Sequence, residues 1–217
     1  MQRMQVGLQD YLVEETAAEW TLYHNDFSLC SRKVRICLHE VGFKYDSKHI
    51  DLIETGKYEV ASKSFLKINP AATVPVLLNK GRPIYESHEQ IKFIFNSKEN
   101  LNTLEDRDVE SINYWTDKAS MVGKLPPIQN LIKSAFKELN NHLCELETEL
   151  SSSKKDWLAS DNFSLADISW SVILHRLDEC GWNGLLLEKK PFINAYYEKI
   201  KQRDSFIKGI VDQNNPN

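Results

Sequence analysis

What most limits the fold of this chain is a change of period part-way along it. Strand and helix patterns alternate up to Asn96, and beyond it only helical patterns remain. Each pattern has one face or stripe to bury, so such a chain builds a helix-covered sheet first and a helical layer afterwards, an α+β organisation. Trp20 to His24 is a short β-prone run ended by the Asn25-Asp26 turn signal. From Cys30 to Val41 the apolar residues Val34, Ile36, Cys37, Leu38 and Val41 recur at helical spacing, with Gly42 where a helix stop belongs. Tyr45 to Leu52 alternates like a second strand, which closes a βαβ unit.

A looser helical pattern follows over Lys57 to Ile68 and is stopped by Asn69-Pro70. Val74 to Leu78 and Pro83 to Tyr85 read as short strands joined at Lys80-Gly81, and Ser87 to Phe95 as a helix. The order βαβ, helix, ββα is the one a thioredoxin-like domain requires, although periodicity alone also allows other small α/β folds. Ser97 to Thr103 is polar enough to link two lobes. Helices are predicted over Glu105–Met121, Pro127–Leu150, Leu165–Leu177 and Pro191–Gln202, with Pro127 and Pro191 suited to first turns. The expected division is an amino-terminal arm at 1–18, a thioredoxin-like domain at 19–96 and an all-helical domain at 104–217. The arm is polar and precedes the first strand signal, which predicts a mobile extension.

At 217 residues, two modest cores fit. A net charge of -4 with both signs interspersed offers no broad basic field, which argues against nucleic acid. No leader pattern opens the chain and no run approaches the ~18 apolar residues of a membrane span, so a cytoplasmic protein with no membrane partner is expected. Cys30, Cys37, Cys144 and Cys180 lack metal-ligand spacing, and the histidines form no zinc pattern, so reduced thiols and no metal are expected.

Ser28-Leu29-Cys30-Ser31 lies between the first strand and the first helix, where unpaired N–H groups and the helix dipole favour an anion. A thiol or hydroxyl there suits thiolate chemistry, and Arg32, Lys33 and Arg35 add positive charge. The competing reading is that a serine caps the helix and Cys30 packs. In Thr73-Val74-Pro75-Val76 the proline either sits on a sheet edge or follows a cis bond that leaves Val74's backbone open to an extended peptide. Glu86-Ser87 opens the next helix and suits either an ordinary cap or the two charges of an amino-acid end. Ser164-Leu165-Ala166-Asp167 has capping-box spacing and predicts a structural role. Tyr114, Trp115, Lys118 and Met121 are candidates for a substrate pocket between the lobes, with helix packing as the rival reading.

Together these pieces resemble the cytosolic glutathione transferase family from about Trp20 to Ile210. They are Leu22-Tyr23, the stretch Ser28 to Ile36, Asn69-Pro70 before Val74-Pro75-Val76-Leu77, then Glu86-Ser87, and Phe163 to Asp167. The first motif is similar to the zeta class and to tetrachlorohydroquinone reductive dehalogenases. Gly123 to Leu131 resembles a zeta stretch, whereas Leu174-His175-Arg176-Leu177 resembles the dehalogenases and the ganglioside-induced differentiation-associated relatives. Leu29 departs from the zeta motif, which usually has a second serine there.

The resemblance implies glutathione as co-substrate, a homodimer and a small electrophilic substrate, aromatic or halogenated. It places Ser28 and Cys30 as alternative catalytic groups, makes Pro75 cis, pairs Val74 with the cysteinyl backbone, and sets Glu86 and Ser87 on the γ-glutamyl end. Two other activities stay open: a non-catalytic glutathione-binding module, and a thiol-disulfide oxidoreductase using Cys30.

Overall fold

The computed structural model describes residues 7–98, 106–122 and 129–211. These form two compact units, one of residues 7–98 with 204–211 and the other of 106–122 with 129–203.

In the first unit β1 (Gly7–Leu8), β2 (Trp20–His24), β3 (Asp46–His49), β4 (Val76–Asn79) and β5 (Arg82–Tyr85) form one sheet in the order β1-β5-β4-β2-β3. β2 runs parallel to β3, while β4 is antiparallel to both β2 and β5. Three helices accompany the sheet: α1 (Leu29–Val41), α2 (Lys63–Ile68) and α3 (Ser87–Asn96). Strand side chains alternate between faces, so Tyr23, Val76, Leu78 and Tyr85 share a cluster with Val60 and Phe65 from the α2 side. The alternate row Leu22, Leu77 and Ile84 is wholly buried and points the other way, towards the packed pair α1 and α3. α1 ends in a Schellman turn: Gly42 takes φ 78, its N–H donates to His39, and the Phe43 N–H reaches back to Leu38.

The amino-terminal segment differs from the mobile arm expected for 1–18, because its described part is tied to the sheet. β1 pairs antiparallel with β5, placing Gly7 opposite Tyr85 and Leu8 opposite Ile84. The pairing continues through Gln9 N–H to Pro83 O at 2.9 Å and Val13 N–H to Gly81 O at 3.0 Å. Tyr23 OH donates to Glu14 at 2.5 Å, and Tyr11 OH lies 3.2 Å from Tyr85 OH. The Glu14 carbonyl passes so close that a Cβ on Gly81 would meet it at 2.0 Å. A short polar edge strand carries no hydrophobic alternation, so its sequence does not announce it.

The strand expected over Tyr45–Leu52 is shorter, and all four residues of β3 are exposed. The helix expected from Lys57 is a 3₁₀ turn at Glu59–Ala61 followed by α2. The second unit holds α4 (Asp106–Val122), α5 (Gln129–Ser152), α6 (Leu165–Glu179), α7 (Asn183–Leu186) and α8 (Pro191–Lys201). Trp170 of α6 is wholly buried and meets Trp115 of α4 edge-on at 6.1 Å. Pro191 opens α8, whose next two N–H groups donate to the Glu147 carboxylate at 3.1 and 2.8 Å. Pro127 and the rest of 123–128 lie outside the described residues.

Beyond α8 the chain returns to the first unit, although the sequence grouped all of 104–217 in the helical domain. α9 (Asp204–Phe206) and a π turn at Ile207–Val211 pack on α1. Gly209 sits where a Cβ would fall 2.8 Å from the Ile36 side chain, and its carbonyl accepts from Arg35 Nε at 2.8 Å.

Candidate functional site

Antiparallel pairing puts the carboxyl end of β2, the amino end of β4 and the carboxyl end of β5 at the same end of the sheet. The segments 25–31, 73–75 and 86–87 therefore emerge together, and open α/β sheets hold ligands outside such strand ends.

The loop after β2 is built from its own polar groups. Asn25 Oδ1 accepts from Phe27 N–H at 2.9 Å, and Asn25 Nδ2 donates to Ile50 O at 2.9 Å and to Glu54. With that bond and three backbone N–H groups, the Glu54 carboxyl is held down to about 2. Ser28 is the N-cap of α1, and its Oγ accepts from Ser31 N–H at 3.2 Å. Cys30, in the first turn, is exposed. The serine therefore caps as the packing alternative required, but Cys30 does not pack; Ser28 caps with an oxygen lone pair and keeps its own O–H to donate.

Behind this loop lies a buried ionic group. Arg35 NH1 donates to Asp26 Oδ1 at 2.8 Å and to His24 Nδ1 at 2.9 Å, joining the loop to Gly209 through its Nε. Because Nδ1 accepts, the proton of His24 resides on Nε2, which donates to Ser47 Oγ at 2.7 Å. Burial, with the charge of Arg35 beside it, lowers His24 to about 4.

Val74–Pro75 is a cis bond, so the edge reading of Pro75 gives way to the cis alternative. Wholly buried Gln90 ties the corner together, its Nε2 donating to Pro75 O at 3.0 Å and Ile84 O at 2.7 Å. Glu86 is the N-cap of α3 with φ 67 and makes no side-chain cap bond, and Ser87 beside it is buried. Lys33, one turn after Cys30, is 7% exposed. Burial pulls its ammonium down from the usual lysine range, while Cys30 and Glu86 support its charge. Gln90 and Asp26 were invisible as site residues in sequence, and Lys33 and Arg35 entered only as positive charge beside the Ser28–Ser31 segment.

Of the pocket candidates in the second unit, Tyr114 is exposed and bonds Glu145, and Lys118 bonds both of them. Tyr114 and Glu145 line an open groove of ≈ 610 Å³ with Glu110 and Glu149. Lys118 itself is not among the groove's lining residues. Trp115 also lines this groove while it is buried in contact with Trp170, and the Met121 side chain lies outside the described residues. Ser164 N–H and Oγ both donate to Asp167 Oδ2, at 2.8 and 2.7 Å, so this pair closes the start of α6.

The family model for the glutathione S-transferase N-terminal domain matches residues 27–96, and that for the C-terminal domain matches 116–204. The chain belongs to the glutathione S-transferase family. The chain is 25% identical to "Glutathione S-transferase TCHQD" of Arabidopsis thaliana, over 87% of this chain and 88% of that one. It is 24% identical to the tetrachloro-p-hydroquinone reductive dehalogenase of Sphingobium chlorophenolicum, over 87% and 94% of the two chains. The fold matches glutathione transferase F7 of Populus trichocarpa with a TM-score of 0.74 at 22% identity, covering 90% of this chain and 99% of that one. It also matches Ure2p in complex with glutathione, with a TM-score of 0.71 at 20% identity over 90% and 100%. Among the described residues no helix is long and apolar enough to cross a membrane, and no cluster of three or more potential metal ligands occurs.

Proposed function

We propose that this transferase binds glutathione at the end of its sheet and transfers the sulfur to a small electrophile, aromatic or halogenated. The observation that carries the reading is the meeting, at one sheet end, of a capping serine with a spare O–H, a cis-Pro corner and a helix start left without a side-chain cap. Val74 at the corner offers backbone groups to the cysteinyl residue of an extended tripeptide. Glu86 accepts the ligand's ammonium, and Ser87 at the start of α3 receives its carboxylate. Ser28 O–H then donates to the sulfur, which favours the thiolate and so the nucleophile.

Exposed Cys30 and the dehalogenase relative favour a reductive branch over simple conjugation. In that branch the glutathione thiolate displaces halide from the ring to form a thioether. The Cys30 thiolate attacks the thioether sulfur, leaving a Cys30–glutathione disulfide while the ring carbon takes up a proton. A second glutathione then reduces the disulfide, releasing oxidised glutathione. The protein acts as a homodimer on this reading.

Calorimetry with reduced glutathione, followed by turnover assays with a halogenated hydroquinone and a haloaromatic conjugation substrate, tests the reading. Ser28→Ala is expected to lower kcat/KM for both by about 100-fold. Cys30→Ser is expected to stop reductive turnover at the thioether and spare conjugation. Binding without turnover of either substrate would make the chain a glutathione-binding module, and loss of conjugation in Cys30→Ser would make Cys30 the primary nucleophile of an oxidoreductase.

A further inference from the structure

We propose that residues 7–14 form a strap that positions the corner carrying Val74, acting through the side chains of Tyr11 and Val13. The inference rests on the glutathione reading above and adds to it a positioning element that stands ahead of residue 27, where the family match begins.

Strap and corner share one core. Val13 packs against the buried cluster around Tyr23, Phe65 and Tyr85, and so do Ile68, Ala72 and Val74. Interiors are close-packed, so a side chain withdrawn from one side of such a cluster loosens those that lean on it from another.

A polar relay runs through the same place. The Tyr85 hydroxyl gives its single proton to Ile68 O at 2.6 Å. Tyr11 OH, 3.2 Å from that hydroxyl, therefore donates to the Tyr85 oxygen. Ile68 closes α2, and buried Asn69 after it builds the corner: its Nδ2 donates to Thr73 O at 2.8 Å and its Oδ1 accepts from Ala71 N–H at 3.0 Å. The relay thus ends one residue before the side chain that shapes the approach to Val74.

The turn between β4 and β5 is fitted to the strap. A Cβ at Gly81 would meet the Glu14 carbonyl at 2.0 Å and the Leu12 side chain at 3.1 Å. Glu14 also accepts from Tyr23 OH, which burial and the adjacent carboxylate push up and so keep protonated. The hold is otherwise slight, since β1 pairs over two residues and both Tyr11 and Leu12 are exposed. A segment with few buried contacts opens before the fold as a whole does, so the strap can be released while the sheet persists.

Hydrogen exchange and steady-state kinetics on the full chain test this with Tyr11→Phe, Val13→Ser and the double variant. In the double variant the Ala71 and Ala72 amides, both bonded to Asn69, are expected to exchange about 10-fold faster. KM for glutathione is expected to rise about 10-fold with kcat held within about two-fold, because a corner that is no longer preformed weakens binding and leaves the sulfur's surroundings alone. Tyr11→Phe, which keeps the ring and carries the test should the double variant fold poorly, is expected to change both readouts by about 3-fold. A lower melting temperature with exchange and KM unchanged would overturn the proposal and make the strap a stabiliser alone. A fall in kcat at constant KM would also overturn it, by placing the effect on the sulfur. If wild type has no affinity for glutathione, that reading falls by itself, and unchanged exchange at Ala71 and Ala72 would then overturn the strap as well.

Discussion

The α1 and α6 helices both open on a serine, and the two openings are built to opposite ends. At α6 the buried Asp167 carboxylate accepts from Ser164 twice, from Leu158 N–H at 3.0 Å and from Tyr196 OH at 2.7 Å. Burial pushes this carboxyl up, against the four hydrogen bonds that support its charge. Three separate segments are thus pinned to one side chain. At α1 a single 3.2 Å bond caps the helix, Cys30 is exposed, no acid stands in the first turn, and the buried cations lie behind. The α6 terminus is held from within its own fold, whereas the α1 terminus leaves donors and positive potential unspent.

The sharpest way to break this contrast is Asp167→Ala. It strands the donors of Ser164, Leu158 and Tyr196 in a closed site, and the expected loss is about 3–5 kcal/mol in urea unfolding, beyond the ~1 kcal/mol typical of a cap alone. A loss below 1 kcal/mol would reduce α6 to an ordinary capped helix.

Acid should find the α1 end through His24. Its folded value, about 4, lies below the ordinary 6.5, so the folded state holds His24 neutral and the unfolded state takes up the proton first. The stabilisation is thus complete above 6.5 and is lost as pH falls towards 4, by about 3 kcal/mol in all. Unfolding free energies measured across that window should show the decline, and His24→Gln should flatten it. An equal slope in wild type and variant would place the acid-sensitive group elsewhere.

The smallest effect concerns the two serines themselves. Ser28→Ala is expected to cost at most about 0.5 kcal/mol of stability while crippling turnover, and Ser164→Ala about 1–2 kcal/mol with kinetics preserved. Thermal melts paired with kcat/KM for each variant check this, and a reversed pattern would remove the distinction between the two openings.

The same contrast explains what could be read in advance. Ser28, the Val74–Pro75 corner, Glu86–Ser87 and the Ser164–Asp167 box were legible because each is a local signal, written within four residues and tied to a helix start or a strand end. The alternatives at Ser28 and Pro75 could not be resolved at that level, since capping and hydrogen-bond donation use the same hydroxyl and an edge proline and a cis proline share one pattern. Trp115 was ambiguous for a related reason: helical spacing states which residues share a face but not what that face meets.

By itself, then, the sequence determined the periodic elements, their order and the positions of their ends, all governed by interactions over one turn or one pleat. Tertiary structure alone decided that β1 would complete the sheet against β5, that residues 204–211 would return to α1 through Gly209, and that Arg35 would be buried against Asp26, His24 and Gly209. Those outcomes depend on another element's edge or on groups as far as 174 positions away. Burial and charge pairing are properties of the assembled neighbourhood, and no local pattern encodes them.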